Sequence, residues 1–272
     1  DIKNPKIAFP NPFYQIYEGA AIASKADVYH LELNEQNGFR AQIDKKILKK
    51  VDLVILNSPN NPTGSVMSED ELCSWVEASR EYDFVLLNDE CYSEIYTKTP
   101  PPSILNASIK CGNNHFKNIL SLNSISKRSS APGLRSGFIA GDREILKDYA
   151  RYRTYIGCAI PLPLQYASSV AWGDESHTKK SRNEYKKNLL SAKKILGVDV
   201  PSETFYVWLK VKDDLAFTKK AFKEESVKVL PGRYLGRDGV GRGFVRLALV
   251  YENKKTIIAL ERLKKILIEE NR

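Results

Sequence analysis

The chain of 272 residues is long enough to bury one large core or two modest ones, and its 42 Lys and Arg against 33 Asp and Glu give a formal charge of +9. That charge raises nucleic acid as a partner, but the lysines fall in helical runs, 179–194 and 254–265, interleaved with Glu184, Glu261 and apolar positions, and no aromatic recognition motif accompanies them; no nucleic acid is expected, and the field suits polycarboxylate substrates instead. No apolar stretch reaches the roughly 20 residues a bilayer requires, and the first residues lack the basic and apolar regions of a signal peptide, so a cytoplasmic protein with no membrane partner is expected.

Up to about Gly141, short apolar runs alternate with helical segments. Leu53 to Leu56 reads as a buried strand, and Asn57-Ser58-Pro59-Asn60-Asn61-Pro62-Thr63-Gly64 imposes a turn after it. Ser68 with Glu71 then forms a capping box that opens a helix. Phe84 to Leu87 is a second buried strand, ending in Asp89 with Tyr92 three positions on. Ile119 to Leu122 and Gly137 to Ala140 also read as buried strands. Between them lie Ser124-Ile125-Ser126-Lys127 and Arg135, eight residues beyond the lysine. This alternation predicts a mainly parallel sheet clothed by helices. In such sheets ligands collect past the carboxyl ends of strands, where Asn61, Asp89 and 124–127 all fall.

Beyond Asp142 the pattern turns helical: Arg143 to Ile156, a Pro161-started segment through Trp172, and a charged helix from Ser176 to Leu196 that bridges two domains. From Pro201 onward, strands over Thr204 to Val211 and Phe244 to Val250 and helices over Asp213 to Glu225 and Asn253 to Glu269 make a smaller α+β domain. The expected division is a large domain over 1–175, a connecting helix over 176–196 and a small domain over 197–272. Cys73, Cys91, Cys111 and Cys158 are scattered without a C-x-x-C pair, which predicts reduced thiols rather than disulfides or a zinc site. With only His30, His115 and His177, none beside an obvious nucleophile, neither a histidine triad nor a metal is expected.

Each candidate residue has an ordinary reading beside the chemical one. Lys127 can be a surface cation or a reactive amine, and Asp89 a helix cap or a buried counter-charge. Asn61 is a natural turn former, Tyr14 a core ring, and Arg246 in Gly243-Phe244-Val245-Arg246 an exposed strand cation.

Together these segments resemble, from about Phe9 to the C-terminus, the fold-type I aminotransferases that use pyridoxal phosphate (PLP). The likeness is nearest the bacterial N-succinyldiaminopimelate aminotransferases in Ser126-Lys127-Arg128-Ser129-Ser130-Ala131-Pro132-Gly133-Leu134-Arg135-Ser136-Gly137-Phe138, in Leu164 to Ser168 with Ala171 to Glu175, and in Val229 to Arg237. The resemblance implies an α/β fold of that type, a large PLP-binding domain with a mainly parallel sheet and a smaller α+β C-terminal domain. It implies that Lys127 forms the Schiff base with PLP and later carries a proton at the substrate α-carbon. It implies that Asp89 faces the pyridine nitrogen, Tyr92 and Asn61 the phenolic oxygen, and Ser124, Ser126 and Arg135 the phosphate, with Tyr14 stacked on the ring.

Arg246, with Asn61, would hold the substrate α-carboxylate. Arg128, Arg233, Arg237 and Arg242 are candidates for the distal carboxylates of a succinylated substrate. The implied reaction moves the amino group of N-succinyl-diaminopimelate to 2-oxoglutarate, or that of glutamate in the opposite sense, in lysine and diaminopimelate synthesis, and the implied assembly is a homodimer. An aspartate or aromatic aminotransferase, a carbon-sulfur lyase and a non-catalytic module remain alternatives. Family members extend further at the N-terminus, where a glycine-rich turn holds the phosphate and a tyrosine reaches the neighbouring subunit, so the site encoded here is expected to be incomplete.

Overall fold

The computed structural model describes residues 3–157 and 159–270. Strands β1 (Lys6–Asn11) and β2 (Asp27–Glu32) are joined by helix α1 (Ile16–Ser24). Short α2 (Lys45–Leu48) leads into β3 (Leu53–Asn57), α3 (Glu69–Tyr82) into β4 (Val85–Asp89), and α4 (Ile104–Lys110) into β5 (Ile119–Ser124). One turn of helix, α5 (Ile125–Arg128), follows before β6 (Gly137–Gly141). The six strands form one sheet in the order β2-β1-β3-β4-β5-β6. Every neighbouring pair is parallel except β5 with β6.

Both faces of this sheet are covered, which is why β3 is apolar without alternation. Val54 and Leu56 point into one core with Leu72, Trp75 and Val76 of α3 and Ile104 of α4. Ile55 points the other way, to Phe9, Phe13 and Tyr17. Helix α3 starts where expected. Ser68 Oγ accepts from the Glu71 N–H, and the Glu71 carboxylate accepts from the Ser68 N–H at 2.7 Å.

Two strands of this sheet escaped the sequence reading, and one was misjudged. β1 carries Pro10, which lacks a ladder donor, and β2 buries Leu31 alone of its residues. Gly137 to Ala140 is a strand but not a buried one. It is the antiparallel edge of the sheet, and Phe138 is 48% exposed.

Helices α6 (Arg143–Ile156), α7 (Leu162–Gly173) and α8 (Ser176–Leu196) lead to a second unit containing β7 (Tyr206–Lys210), α9 (Asp214–Lys223), β8 (Leu230–Pro231), β9 (Phe244–Ala248) and α10 (Asn253–Glu270). Its antiparallel sheet has the order β7-β9-β8. One face buries Val207, Leu209, Val245 and Leu247 against Leu189, Phe217, Leu260 and Leu263. By the period of the strand, Tyr206, Trp208 and Arg246 occupy the other face, which turns toward the first sheet. Among the described residues no helix is long and apolar enough to cross a membrane.

Polar groups stitch the two sheets together. The Asn11 side chain donates to Arg237 O at 3.2 Å and accepts from Arg237 N at 3.0 Å, while Thr204 N donates to Ile95 O at 3.0 Å. Gly64, at φ +76°, ends the 57–64 turn so close to the second unit that a Cβ there would lie 2.8 Å from Pro201 Cγ. Within the second unit, Asp214 is fully buried and accepts from Nε and Nη2 along one edge of the Arg233 guanidinium. Burial alone would raise its carboxyl, but Arg233 and the N–H groups of Arg233 and Gly243 outweigh that and hold it below the usual range.

Two outcomes follow. Gly64→Ala should lose about 1–3 kcal/mol in denaturant unfolding, because the left-handed backbone and the Pro201 contact both oppose a Cβ. Asp214 has a depressed folded value, so its contribution is present above the unfolded value of about 3.9 and fades as pH falls through the folded one. Asp214→Asn should cost about 2 kcal/mol at pH 7, and the gap to the unmodified chain should narrow in unfolding curves below about pH 4.

Candidate active site

The carboxyl ends of β3 and β4 are aligned, with Asn57 opposite Asp89 in register. The Asn57 amide donates to Asp89 O at 2.9 Å and to Pro59 O at 3.0 Å, and its oxygen accepts from Asn61 N at 2.8 Å. One buried amide therefore fixes the turn and aims Asn61 into the seam between the sheets.

The Asp89 side chain is nearly buried, and Tyr17 Oη donates to its Oδ2 at 2.7 Å while Cys91 N donates to Oδ1 at 3.1 Å. Burial, reinforced by the Asp89 charge, pushes the Tyr17 phenol well above its ordinary value, so it remains a neutral donor. The same two causes push the Cys91 thiol up, with the Lys127 charge only partly opposing them. That thiol is no nucleophile.

Tyr92 and Tyr206 are both 4% exposed and share a hydroxyl–hydroxyl hydrogen bond of 3.0 Å. Burial, followed by the Tyr206 phenol, pushes Tyr92 well above its ordinary value. The Arg246 guanidinium lies 4.5 Å over the Tyr206 ring, and its Nη1 donates to Asn61 Oδ1 at 2.7 Å. Arg246 Nε is buried with no partner. An orphaned donor beside an anchored guanidinium is suited to a carboxylate.

Lys127 stands on α5, just past β5, with Nζ 5.8 Å over the Phe205 ring. Ser124 caps that turn: its Oγ accepts from Ser126 N at 3.1 Å and lies 2.9 Å from Ser126 Oγ. Arg135 is exposed, in a left-handed conformation, and donates to Pro132 O at 2.7 Å. Tyr14 is 43% exposed, its ring edge-on to Tyr17 at 5.9 Å.

The segment after Lys127 is tied to the start of α8, and here a sequence expectation is overturned. His177 does stand beside a nucleophile type: its Nε2 is 2.8 Å from Ser129 Oγ and its Nδ1 2.7 Å from Asp174 Oδ2. Asp174 also accepts from Ser176 N at 2.8 Å, so the arrangement caps α8 and anchors the loop behind Lys127. Chain folding brought these residues together from positions 129 and 174–177, which no local pattern could reveal.

The arginine expectations also need correction. Arg128 is 3% exposed, donates to Ala171 O and Asp174 O and pairs with Glu175. Arg233 is held by Asp213 and Asp214, and Arg237 by Glu18. Guanidiniums already paired within the chain have little left for a distal carboxylate. Arg242 is exposed and has no carboxylate partner among the described residues. Cys73, Cys91 and Cys111 are free thiols, Cys158 lies outside the described residues, and among the described residues no group of His, Cys, Asp and Glu could hold a metal.

Three site residues were missed. Tyr17 carried a weak signal, three positions after Tyr14 on the helix that follows β1. Phe205 and Tyr206 read only as the start of a strand, since nothing local says which partners they meet.

Comparison with known proteins bears on this arrangement. The description "Aminotransferase class I and II" matches residues 2–263. The LL-diaminopimelate aminotransferase of Halothermothrix orenii is 30% identical over 270 residues, covering 94% of this chain and 67% of that protein. Aromatic-amino-acid aminotransferase 2 of Thermococcus litoralis is 28% identical over 282 residues, 98% of this chain and 71% of that one. The crystal structure of the aminotransferase AspB from Helicobacter pylori superposes with a TM-score of 0.96 at 49% identity, covering 98% of this chain and 72% of that chain.

Tyr17→Phe removes a charge-assisted donor from a buried carboxylate and should lower unfolding free energy by about 1.5–3 kcal/mol. Tyr14→Phe, at an exposed hydroxyl, should change it by less than about 0.5 kcal/mol. Parallel urea titrations of the two variants check the contrast.

Proposed function

The chain belongs to the aminotransferase class I and II family, whose cofactor is PLP, and from that membership we propose that it moves an amino group between glutamate and N-succinyl-2-amino-6-oxopimelate, with N-succinyl-diaminopimelate and 2-oxoglutarate as the opposite pair. The observation that carries the carboxylate part is Arg246, anchored to Asn61 on the far side of the seam with its Nε unpartnered. The succinylated-diaminopimelate part is supported by the motifs at 126–138, 164–175 and 229–237 and by a relative named for diaminopimelate.

The donor set fits PLP. Its protonated pyridine nitrogen needs a buried carboxylate, its phenolic oxygen needs donors, and its carbonyl carbon needs an amine. Asp89, the pair Tyr92 and Asn61, and Lys127 supply these in turn. When bound, PLP supplies an electron-withdrawing ring that stabilises negative charge at the substrate α-carbon.

Asp89 would keep a proton on the ring nitrogen, with Tyr17 fixing the rotation of that carboxylate. Tyr92, kept neutral by burial, donates its hydroxyl proton. Asn61 presents its amide NH2, since its oxygen is already taken by Arg246. Ser124 and Ser126, with hydroxyls 2.9 Å apart, and Arg135, which donates to Pro132 O here, would hold the phosphate. Tyr14 offers its exposed ring as the stacking surface. Lys127 would be the amine that holds the cofactor's carbonyl carbon, and the group that would move a proton at the substrate α-carbon. Arg246 takes the α-carboxylate in two parallel hydrogen bonds. With Arg128, Arg233 and Arg237 internally paired, Arg242 is left for distal carboxylates.

We divide the chain into a PLP-binding domain over 1–175, a connecting helix over 176–196 and a small domain over 197–272, working as a cytoplasmic homodimer. A second reading, transfer to aromatic keto acids, is supported by likeness to the Thermococcus litoralis enzyme and by the Tyr206 ring beside Arg246.

Borohydride reduction of the PLP-loaded chain should fix a pyridoxyl group on the peptide containing Lys127, and Lys127→Ala should abolish the label; a label elsewhere removes Lys127 from this role. In glutamate-coupled assays, N-succinyl-2-amino-6-oxopimelate should exceed oxaloacetate and phenylpyruvate in kcat/KM. Preference for phenylpyruvate would favour the second reading. Arg246→Lys should lose at least about tenfold in kcat/KM, since a single ammonium cannot reproduce the fork.

A further inference from the structure

Between Tyr92 on one unit and Arg246 on the other stands a side chain with no role so far. Tyr206 is 4% exposed, begins β7, and touches both: its hydroxyl is 3.0 Å from that of Tyr92, and its ring lies 4.5 Å under the Arg246 guanidinium. Phe205 and Tyr185 pack around the pair, with centroids 4.8 Å apart for Phe205–Tyr206 and 5.0 Å for Tyr185–Phe205. The charged groups acting on Tyr92 are Asp89 and Arg246.

We propose that Tyr206 is a positioning residue that holds both the Tyr92 hydroxyl and the Arg246 guanidinium, an inference that rests on the roles given above to those two residues. The proton accounting fixes its direction. Tyr92 has one hydroxyl proton, and in the cofactor role that proton goes to the phenolic oxygen of PLP. The 3.0 Å contact then requires Tyr206 to donate to Tyr92 Oη. A phenol that accepts one hydrogen bond donates a stronger one, so Tyr206 strengthens Tyr92 as a donor. The ring acts separately. Its face holds the guanidinium by cation–π attraction, leaving the edge that carries Nε free for a carboxylate.

The two contacts separate by substitution. Tyr206→Phe keeps the ring and loses the O–H, while Tyr206→Leu loses both. In Tyr206→Phe, the weaker donor leaves the PLP oxygen more basic, so the pH midpoint of the visible absorbance change of the Lys127-linked cofactor should rise by about half a unit. Binding of 2-oxoglutarate to the cofactor-free chain, read by calorimetry, should stay within about twofold of the unmodified protein. In Tyr206→Leu that binding should weaken about fivefold to tenfold. Thermal melts check that both variants are folded.

An unshifted midpoint in Tyr206→Phe overturns the hydroxyl part, and unweakened 2-oxoglutarate binding in folded Tyr206→Leu overturns the ring part. Failure of the underlying site reading looks different. Then the unmodified chain takes no borohydride label at Lys127, or Arg246→Lys binds 2-oxoglutarate as well as the unmodified chain does, and the inference falls with it.

Discussion

A carboxylate buried at the end of a central strand is the constraint on which the rest of the site depends. Isolated burial of Asp89 would cost several kcal/mol, so donors must converge on it from separate elements. The Cys91 N–H comes from the turn after β4, and the Tyr17 hydroxyl from a helix more than seventy residues earlier in the chain. Meeting that demand ties α1 to the carboxyl end of β4. The same desolvation that makes these contacts necessary keeps the Tyr17 and Tyr92 phenols neutral. Phenols that stay protonated remain donors, which a site for an anionic oxygen requires.

The seam between the two sheets repeats this logic with a cation. Arg246 is satisfied on one side by an amide from the 57–64 turn and on one face by an aromatic ring, with a single buried N–H left over. A guanidinium constrained in this way loses little freedom on meeting a carboxylate, so more of each hydrogen bond appears as affinity. Elsewhere the chain does the reverse. Arg128, Arg233 and Arg237 close onto carboxylates or carbonyls of their own chain, so their contribution is to hold loops in place.

Local sequence carried much of the architecture because its causes are local. Ser68 and Glu71 close a capping box within one turn, and the runs at 53–56 and 84–87 are apolar enough to be buried whatever packs on them. The resemblance placed Lys127, Asp89, Tyr92, Asn61 and Arg246 on the candidate list, and all lie at the strand ends or on the sheet face that meet at the seam. What stayed hidden was non-local. The burial of β6 depended on whether another strand flanked it, and none does among the described residues. The His177 contacts with Ser129 and Asp174 join the loop after Lys127 to the start of α8.

Sequence by itself therefore determined an α/β chain with a mainly parallel sheet and the residue types gathered past the strand ends, because periodicity, capping and turn chemistry act over a few residues, while the family followed from the likeness of its motifs. Tertiary structure alone decided that Tyr17 serves Asp89, that Tyr206 stands between Tyr92 and Arg246, and that Arg128, Arg233 and Arg237 are already engaged. Those outcomes hang on which buried donor finds which acceptor. Hydrogen bonds of about 3 Å between residues far apart in the chain exist only once the cores on both sides have packed.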